Sequence, residues 1–239
     1  MIKKDLNQND IYVHELIDTI EPNFVFSDKP INRFKVTEDK KNNLSKDKQE
    51  KLLNLKDQIN SIENCNIRNN SKDAFMGNGN INSPIMLIGE APDEIKISSE
   101  QLYQDEDGSL LKKMLLAINL EIEKVYLAYA INFKIPENRK PNTSEIKRYS
   151  TFLKEHISII NPDIIVLMGS TAMEAVTGLS KGISSERGKW KEIIIKNKTF
   201  PLMITFSPSY LIRFPNNKKF SWEDLKIIKK KILDSNIKV

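Results

Sequence analysis

The chain has 239 residues, of which 39% are hydrophobic and 29% charged, with a formal charge of +5 and an isoelectric point near 9.0. Its single cysteine, Cys65, excludes an intramolecular disulfide and a four-thiolate iron–sulfur cluster built from this chain alone. No run is apolar for the length a membrane helix needs, and the amino-terminal MIKKDLNQND has no apolar leader core, so a cytoplasmic protein is expected.

The excess of positive charge agrees with a polyanionic partner. A Lys-, Asn- and Ile-rich chain from an AT-rich genome would show the same balance. Residues 1 to about 48 are polar and interrupted by Pro22 and Pro30. They read as a partly flexible N-terminal extension, with 49–239 as the folded domain. Leu52, Leu53, Leu55, Ile59 and Ile62 recur at helical spacing. After Cys65 comes a polar stretch in which Gly77, Asn78 and Gly79 read as turn formers.

From Pro84 onward, short apolar runs alternate with helical patterns. Ile85–Ile88, Val125–Ala130, Ile164–Met168 and Met203–Phe206 read as strands, the first and third buried on both faces. Helices are predicted from Leu110 to Ile118, from Ser144 to Ile159, from Thr171 to Val176, and over a closing basic segment headed by the capping-box pattern Ser221-Trp222-Glu223-Asp224. Strands alternating with helices imply an α/β fold: three layers, α/β/α, around a mostly parallel four-stranded sheet. Ligands in such sheets bind beyond the carboxyl ends of the strands, so the loops after Ile88, Ala130, Met168 and Phe206 carry the interest.

The first of these loops holds Gly89 and Pro92, a rigid exit that can aim backbone N–H groups at a ligand, or a plain turn. Its acidic run Asp105-Glu106-Asp107 reads as a solvated loop before a cation site. In the second, Arg139 and Lys140 between prolines suit phosphate contacts or a solvated surface. In the third, Ser170 or Thr171 reads as a helix cap. The segment around Trp190 carries Arg187, Lys189 and Lys191, a mixture that suits nucleic acid, although Trp190 also suits a core. The fourth loop, Thr205-Phe206-Ser207-Pro208-Ser209-Tyr210-Leu211-Ile212-Arg213-Phe214, presents Tyr210 and Leu211 either as core anchors or as a wedge between bases. His14 and His156 read as packing or surface residues.

Taken in order, IGEAP (Ile88–Pro92), GSLLKKML, Val125-Tyr126, the proline-flanked NRKP ending at Pro141, INPDIIVLMGSTA, RGKW (Arg187–Trp190) and SPSYLIRFP resemble the uracil-DNA glycosylase superfamily, with the nearest likeness to its family-4 type. The resemblance runs over roughly residues 63 to 233. It implies a uracil-DNA glycosylase-like fold and an enzyme that draws uracil out of DNA and hydrolyses its N-glycosidic bond, aided by donors aimed at the charge developing on the departing base. It also implies an iron–sulfur cluster held by four cysteines.

The departures fall in the pocket. The family's loop histidine is replaced by Ser207, its base-reading asparagine by Tyr129, the last glycine of its GEAPG turn by Asp93, and a cluster cysteine by Tyr149; Tyr103 stands at the stacking phenylalanine. The candidate catalytic residues are therefore Ser207, Glu90 and Asp93. Gly89, Ala91, Pro92, Tyr103 and Tyr129 are candidates for holding the base. Arg139, Lys140, Arg187, Lys189, Pro208, Ser209, Tyr210, Leu211 and Arg213 are candidates for holding DNA. Asn132 or Asp93 could take over a lost role. No metal ligand and no cluster are expected. Two functions follow: a diverged glycosylase with weakened or lost excision, or an inactive module that holds DNA or a repair partner. A monomer with DNA as partner is expected.

Overall fold

A computed structural model describes residues 38–62, 67, 73–92 and 105–238. The chain divides into two compact units, Met1–Lys41 and Asn42–Val239, and of the first only residues 38–41 fall within the described range. The expectations for Cys65, Asp93, Tyr103 and His14, and for the N-terminal extension up to residue 37, lie outside the described residues.

The described elements, in order, are α1 (Glu38–Asn60), β1 (Gly77–Gly79), β2 (Ile85–Gly89), α2 (Glu106–Leu116), β3 (Tyr126–Tyr129), α3 (Thr143–Ile160), β4 (Ile164–Met168), α4 (Ser170–Thr177), α5 (Ile183–Glu186), β5 (Trp190–Ile195), β6 (Lys198–Thr205), α6 (Pro208–Arg213) and α7 (Lys218–Asp234). The strands form one sheet in the order β1-β3-β2-β4-β6-β5. The four strands predicted from the sequence are β2, β3, β4 and β6, all mutually parallel. The sheet has two further strands, β1 and β5, one at each edge and each antiparallel to its neighbour. Gly77–Gly79, expected as a turn, pairs with Tyr126–Ala128 instead.

Because side chains alternate along a strand, each parallel strand feeds two cores. Met86, Ile88, Ile165, Leu167, Leu202 and Ile204 pack under α3 and α4. Ile85, Leu87, Ile164, Val166 and Met203 pack under α2 and α7. This is the expected three-layer α/β/α arrangement. Burying each such side chain contributes about 1.5–3 kcal/mol. A third cluster joins Leu55 and Ile59 of α1 to Ile131, Phe133, Ile135 and Tyr149. Lys48 fastens α1 by donating to the carbonyls of Ile160 (2.7 Å), at the end of α3, and of Ile81 (3.2 Å).

Helix starts differ from the sequence reading in three places. Helix α2 begins at Glu106, and Asp105 caps it, its Oδ1 accepting from Gly108 N at 3.2 Å. The acidic run is thus a cap and a first turn, where negative charge opposes the positive end of the helix dipole. Helix α4 is preceded by Gly169, which has no capping side chain. Helix α7 begins at Lys218, so Ser221 lies inside it, and Asp224 does not close a capping box. Ser221 Oγ is buried with no hydrogen-bond partner among the described residues. For α3 a capping box does form, between Asn142 and Glu145.

His156 is buried on α3 and meets the Tyr126 hydroxyl at 2.9 Å through Nε2. Burial lowers its pKa to about 4, so it is a neutral packing residue.

Candidate active site

The carboxyl ends of all four parallel strands open on one cavity of about 410 Å³. That is within the roughly 300–1,000 Å³ of small-ligand clefts. Gly89 comes from the end of β2, Tyr129 from β3, Met168 from β4, and Ser207 from just beyond β6. Glu90, Ala91, Pro92, Pro208, Ser209, Arg139, Lys140 and Arg213 also line it. Asp107, Leu111, Ile135 and Thr171 line it too, and the sequence reading did not single them out as ligand contacts. The signal for Asp107 and Leu111 was their four-residue spacing on one helix face.

The floor is set by strand register. Gly89 pairs with Tyr129, and the ladder continues past both strands: Ala130 N donates to Gly89 O at 2.9 Å and Ile131 N to Glu90 O at 3.1 Å. The Tyr129 ring lies across Gly89, where a Cβ would stand 3.0 Å from Tyr129 Cδ1 and Cε1. Tyr129 is 5% exposed and meets Phe75 edge-on, with centroids 5.7 Å apart.

Glu90 turns across the sheet to the start of α4. Its Oε1 accepts from Thr171 N at 3.1 Å and from Ser170 Oγ at 3.4 Å. It thereby supplies the cap that Gly169 lacks. Only glycine fits position 169: φ is +104°, and a Cβ would stand 2.5 Å from the Glu90 carboxyl carbon. Ser170 and Thr171 are therefore capped rather than capping.

Ser207 is 6% exposed and is the N-cap of α6. Its Oγ accepts from Tyr210 N at 3.4 Å and lies 3.1 Å from Ser209 Oγ. The hydroxyl proton is what remains for Ser209 or for a ligand.

Three cations surround the mouth. Arg139 is bound by both carboxylate oxygens of Glu145, at 2.6 and 2.8 Å. Lys140 is exposed, and Arg213 is exposed with its Nε 3.4 Å from Ser209 O.

Among the described residues, no group of three or more His, Cys, Asp or Glu could hold a metal ion, and no helix is long and apolar enough to cross a membrane. The residues present do not fit a four-thiolate cluster. The chain has one cysteine, and Tyr149 is fully buried edge-on to Phe133, with centroids 6.0 Å apart.

Residues 76–228 match the family model described as the Uracil DNA glycosylase superfamily. The chain belongs to that superfamily. It is 32% identical over 155 residues to the Type-4 uracil-DNA glycosylase of Thermotoga maritima, covering 64% of this chain and 79% of the relative. It is 30% identical over 186 residues to the Type-4 uracil-DNA glycosylase of Sulfurisphaera tokodaii, covering 74% and 83%. It is also 29% identical over 153 residues to a DNA polymerase of Bacillus phage SP01, covering 64% of this chain and 16% of that protein.

Against that background, several of this uracil-DNA glycosylase homologue's expected DNA contacts stand elsewhere. Arg187 does not line the cavity. Its guanidinium is clasped by Asp224, with Nη2–Oδ1 2.6 Å and Nε–Oδ2 3.0 Å, and also donates to Phe220 O. Asp224 is fully buried and accepts from Thr205 Oγ1 at 2.7 Å. Burial pushes its carboxyl above the usual carboxylate range, opposed by the bonds from Thr205 and Arg187. Lys189 is exposed and away from the cavity.

Leu211, read either as a core anchor or as a wedge, is a core anchor: it is 1% exposed because α6 turns it inward. Tyr210 is half-buried between Phe206 and Phe214. Trp190 packs against the α2–α7 core. Asn132 is buried and away from the cavity; its Nδ2 donates to Phe75 O at 3.0 Å and its backbone carbonyl accepts from Phe75 N at 2.7 Å.

Proposed function

We propose that the chain is a uracil-DNA glycosylase homologue of base-excision repair that holds a flipped nucleotide in this cavity, with uracil release weakened or lost. The observation that carries the reading is that Tyr129 and Ser207 face one cavity together with the Gly89–Pro92 turn.

The chemistry of a glycosylase needs two things from such a cavity: recognition of the base edge, and donors for the negative charge that forms on the leaving base. An amide offers a paired donor and acceptor to a pyrimidine edge; a phenol cannot. The Tyr129 ring also occupies the space above Gly89. Ser207 offers one neutral hydrogen bond, shared with Ser209. Loss of one preorganised donor costs on the order of 10²–10³ in rate.

Glu90 has one carboxylate oxygen committed to the start of α4, so it serves first to fix the turn. Arg139, Lys140 and Arg213 suit phosphates of the strand on either side of the cavity. The protein acts without an iron–sulfur cluster, in the cytoplasm and as a monomer. Asp93 as a catalytic residue and Tyr103 as a base contact are part of the proposal on the family resemblance alone.

A second reading, a DNA-holding module without catalysis, is favoured by the Tyr129 ring and by the likeness to a segment of a phage protein named DNA polymerase. One experiment separates the two. Uracil-containing and lesion-containing oligonucleotides are incubated with folded protein, and base release and salt-dependent binding are measured beside the T. maritima relative. The proposal expects binding that weakens with salt, and uracil release at least about 100-fold slower than the relative's. Release at the relative's rate, or no binding at low salt, overturns it; within the slower outcomes, measurable release marks a weakened glycosylase, and binding with no release of any base marks the DNA-holding module.

A further inference from the structure

The loop after β6 carries a column of rings that the cavity does not use. Phe206, Tyr210 and Phe214 stack in sequence, with centroids 4.8 Å apart at each step and interplanar angles of 20° and 39°. The inner end is fixed. Arg187 lies between Phe206 and Phe220, its guanidinium carbon 5.5 and 5.2 Å from the two centroids, and the buried Asp224 holds it there. Tyr210 is held further by Asn217, whose Nδ2 donates to its hydroxyl at 3.0 Å. The outer end is open: Phe206 is 3% exposed, but Phe214 is 52% exposed.

This open ring sits one residue beyond Arg213, which lines the cavity mouth, and four and five residues before the exposed Lys218 and Lys219. A braced aromatic face among cations, on a chain of charge +5, matches a polyanion that carries flat bases. Leu211, the candidate wedge of this loop, is buried and not placed to open a duplex.

We propose that Phe214 is a stacking platform for the base next to the nucleotide in the cavity, and that it makes single-stranded DNA the preferred ligand. The inference rests on the cavity holding one nucleotide of a DNA strand. In a single strand the neighbouring base is free to lie on Phe214. In a duplex it is held by its pairing partner and its remaining stacking neighbour and must be pulled away at a cost.

The test measures binding, by fluorescence anisotropy, of the full chain and of Phe214→Ala and Phe214→Trp to three probes. These are a single-stranded deoxyribo-oligonucleotide with one uracil, its duplex, and the same single strand with abasic spacers flanking the uracil. The wild type is expected to prefer the single strand to the duplex. Phe214→Ala should weaken single-strand binding roughly 5- to 100-fold, leave duplex binding and the salt slope unchanged, and bind the spacer probe as the wild type does. Phe214→Trp should retain single-strand binding. Since Phe214 is half exposed, thermal melts of the variants should match the wild type.

Wild-type single-strand affinity in Phe214→Ala, an equal loss on duplex, or a loss that persists on the spacer probe overturns the inference. Tighter binding to the corresponding ribo-oligonucleotide overturns the assignment to DNA. Wild-type protein that binds no probe overturns the proposed function and this inference together, whereas binding that is indifferent to Phe214 overturns this inference alone.

Discussion

The ring of Tyr129 lies against Gly89, so near that a single methyl group on Gly89 would press on two ring carbons at 3.0 Å. The two residues are paired in register at the carboxyl ends of adjacent parallel strands. The floor of the cavity is therefore one packed unit, and Gly89 cannot be enlarged without displacing the Tyr129 ring. Gly89→Ala should destabilise the fold by about 1–3 kcal/mol in urea unfolding. The same change made in a Tyr129→Ala background should cost less, with a coupling of at least about 0.5 kcal/mol. An equal cost in both backgrounds would mean that the ring is not what Gly89 accommodates.

Arg187 is expected to matter for folding and not for the DNA salt dependence. Removing it strands the buried Asp224 carboxylate, which costs about 3–5 kcal/mol for a pair of this kind. Arg187→Met combined with Asp224→Leu should recover much of that loss, because both charges then leave the interior together. Denaturant midpoints of the two single variants and the double variant measure this.

His156 makes stability depend on acid. Its folded pKa, about 4, lies below the ordinary value of 6.5, so between those values the unfolded chain takes up the proton and the folded chain does not. Its contribution is fully present above pH 6.5 and is lost as pH falls toward 4, by about 3 kcal/mol in all. In His156→Gln, which does not titrate, unfolding free energies measured from pH 7 to 4 should fall less steeply, by that amount.

Ser221 holds a buried hydroxyl with no partner among the described residues, inside a helix. Ser221→Ala removes an unmet polar group and improves helix propensity, so it should raise stability by about 1 kcal/mol. A lower melting temperature would show that the hydroxyl has a partner after all.

The sequence reveals the parallel centre of the sheet because continuous apolar runs such as Ile85–Ile88 and Ile164–Met168 have few alternatives to a strand buried on both faces. It hides the edges. Gly77-Asn78-Gly79 is three residues of turn-forming type, and only its pairing with β3 makes it a strand. The cavity walls could be read from the loops after each strand, since Gly89, Tyr129 and Ser207 fall where the topology sends them. What could not be read is the partner of each charge. Arg187 has a basic neighbourhood in sequence, but its carboxylate lies 37 residues on. Asp224 sits at capping-box spacing from Ser221, and only the earlier helix start at Lys218 releases it for Arg187. Glu90 caps a helix 80 residues away, a contact that strand order creates and local pattern does not contain. Leu211 has the composition of a wedge, and the direction in which α6 turns buries it.

The most direct test of the disarmed cavity is the rate of uracil release from a uracil-containing single strand by the wild type and by the double variant Tyr129→Asn, Ser207→His, each at saturating protein. The double variant should release uracil at least about 100-fold faster than the wild type, because an amide again reads the base and a stronger donor faces the departing charge. A wild type that releases uracil as fast as the double variant, with both proteins folded and bound to the strand, would contradict the account.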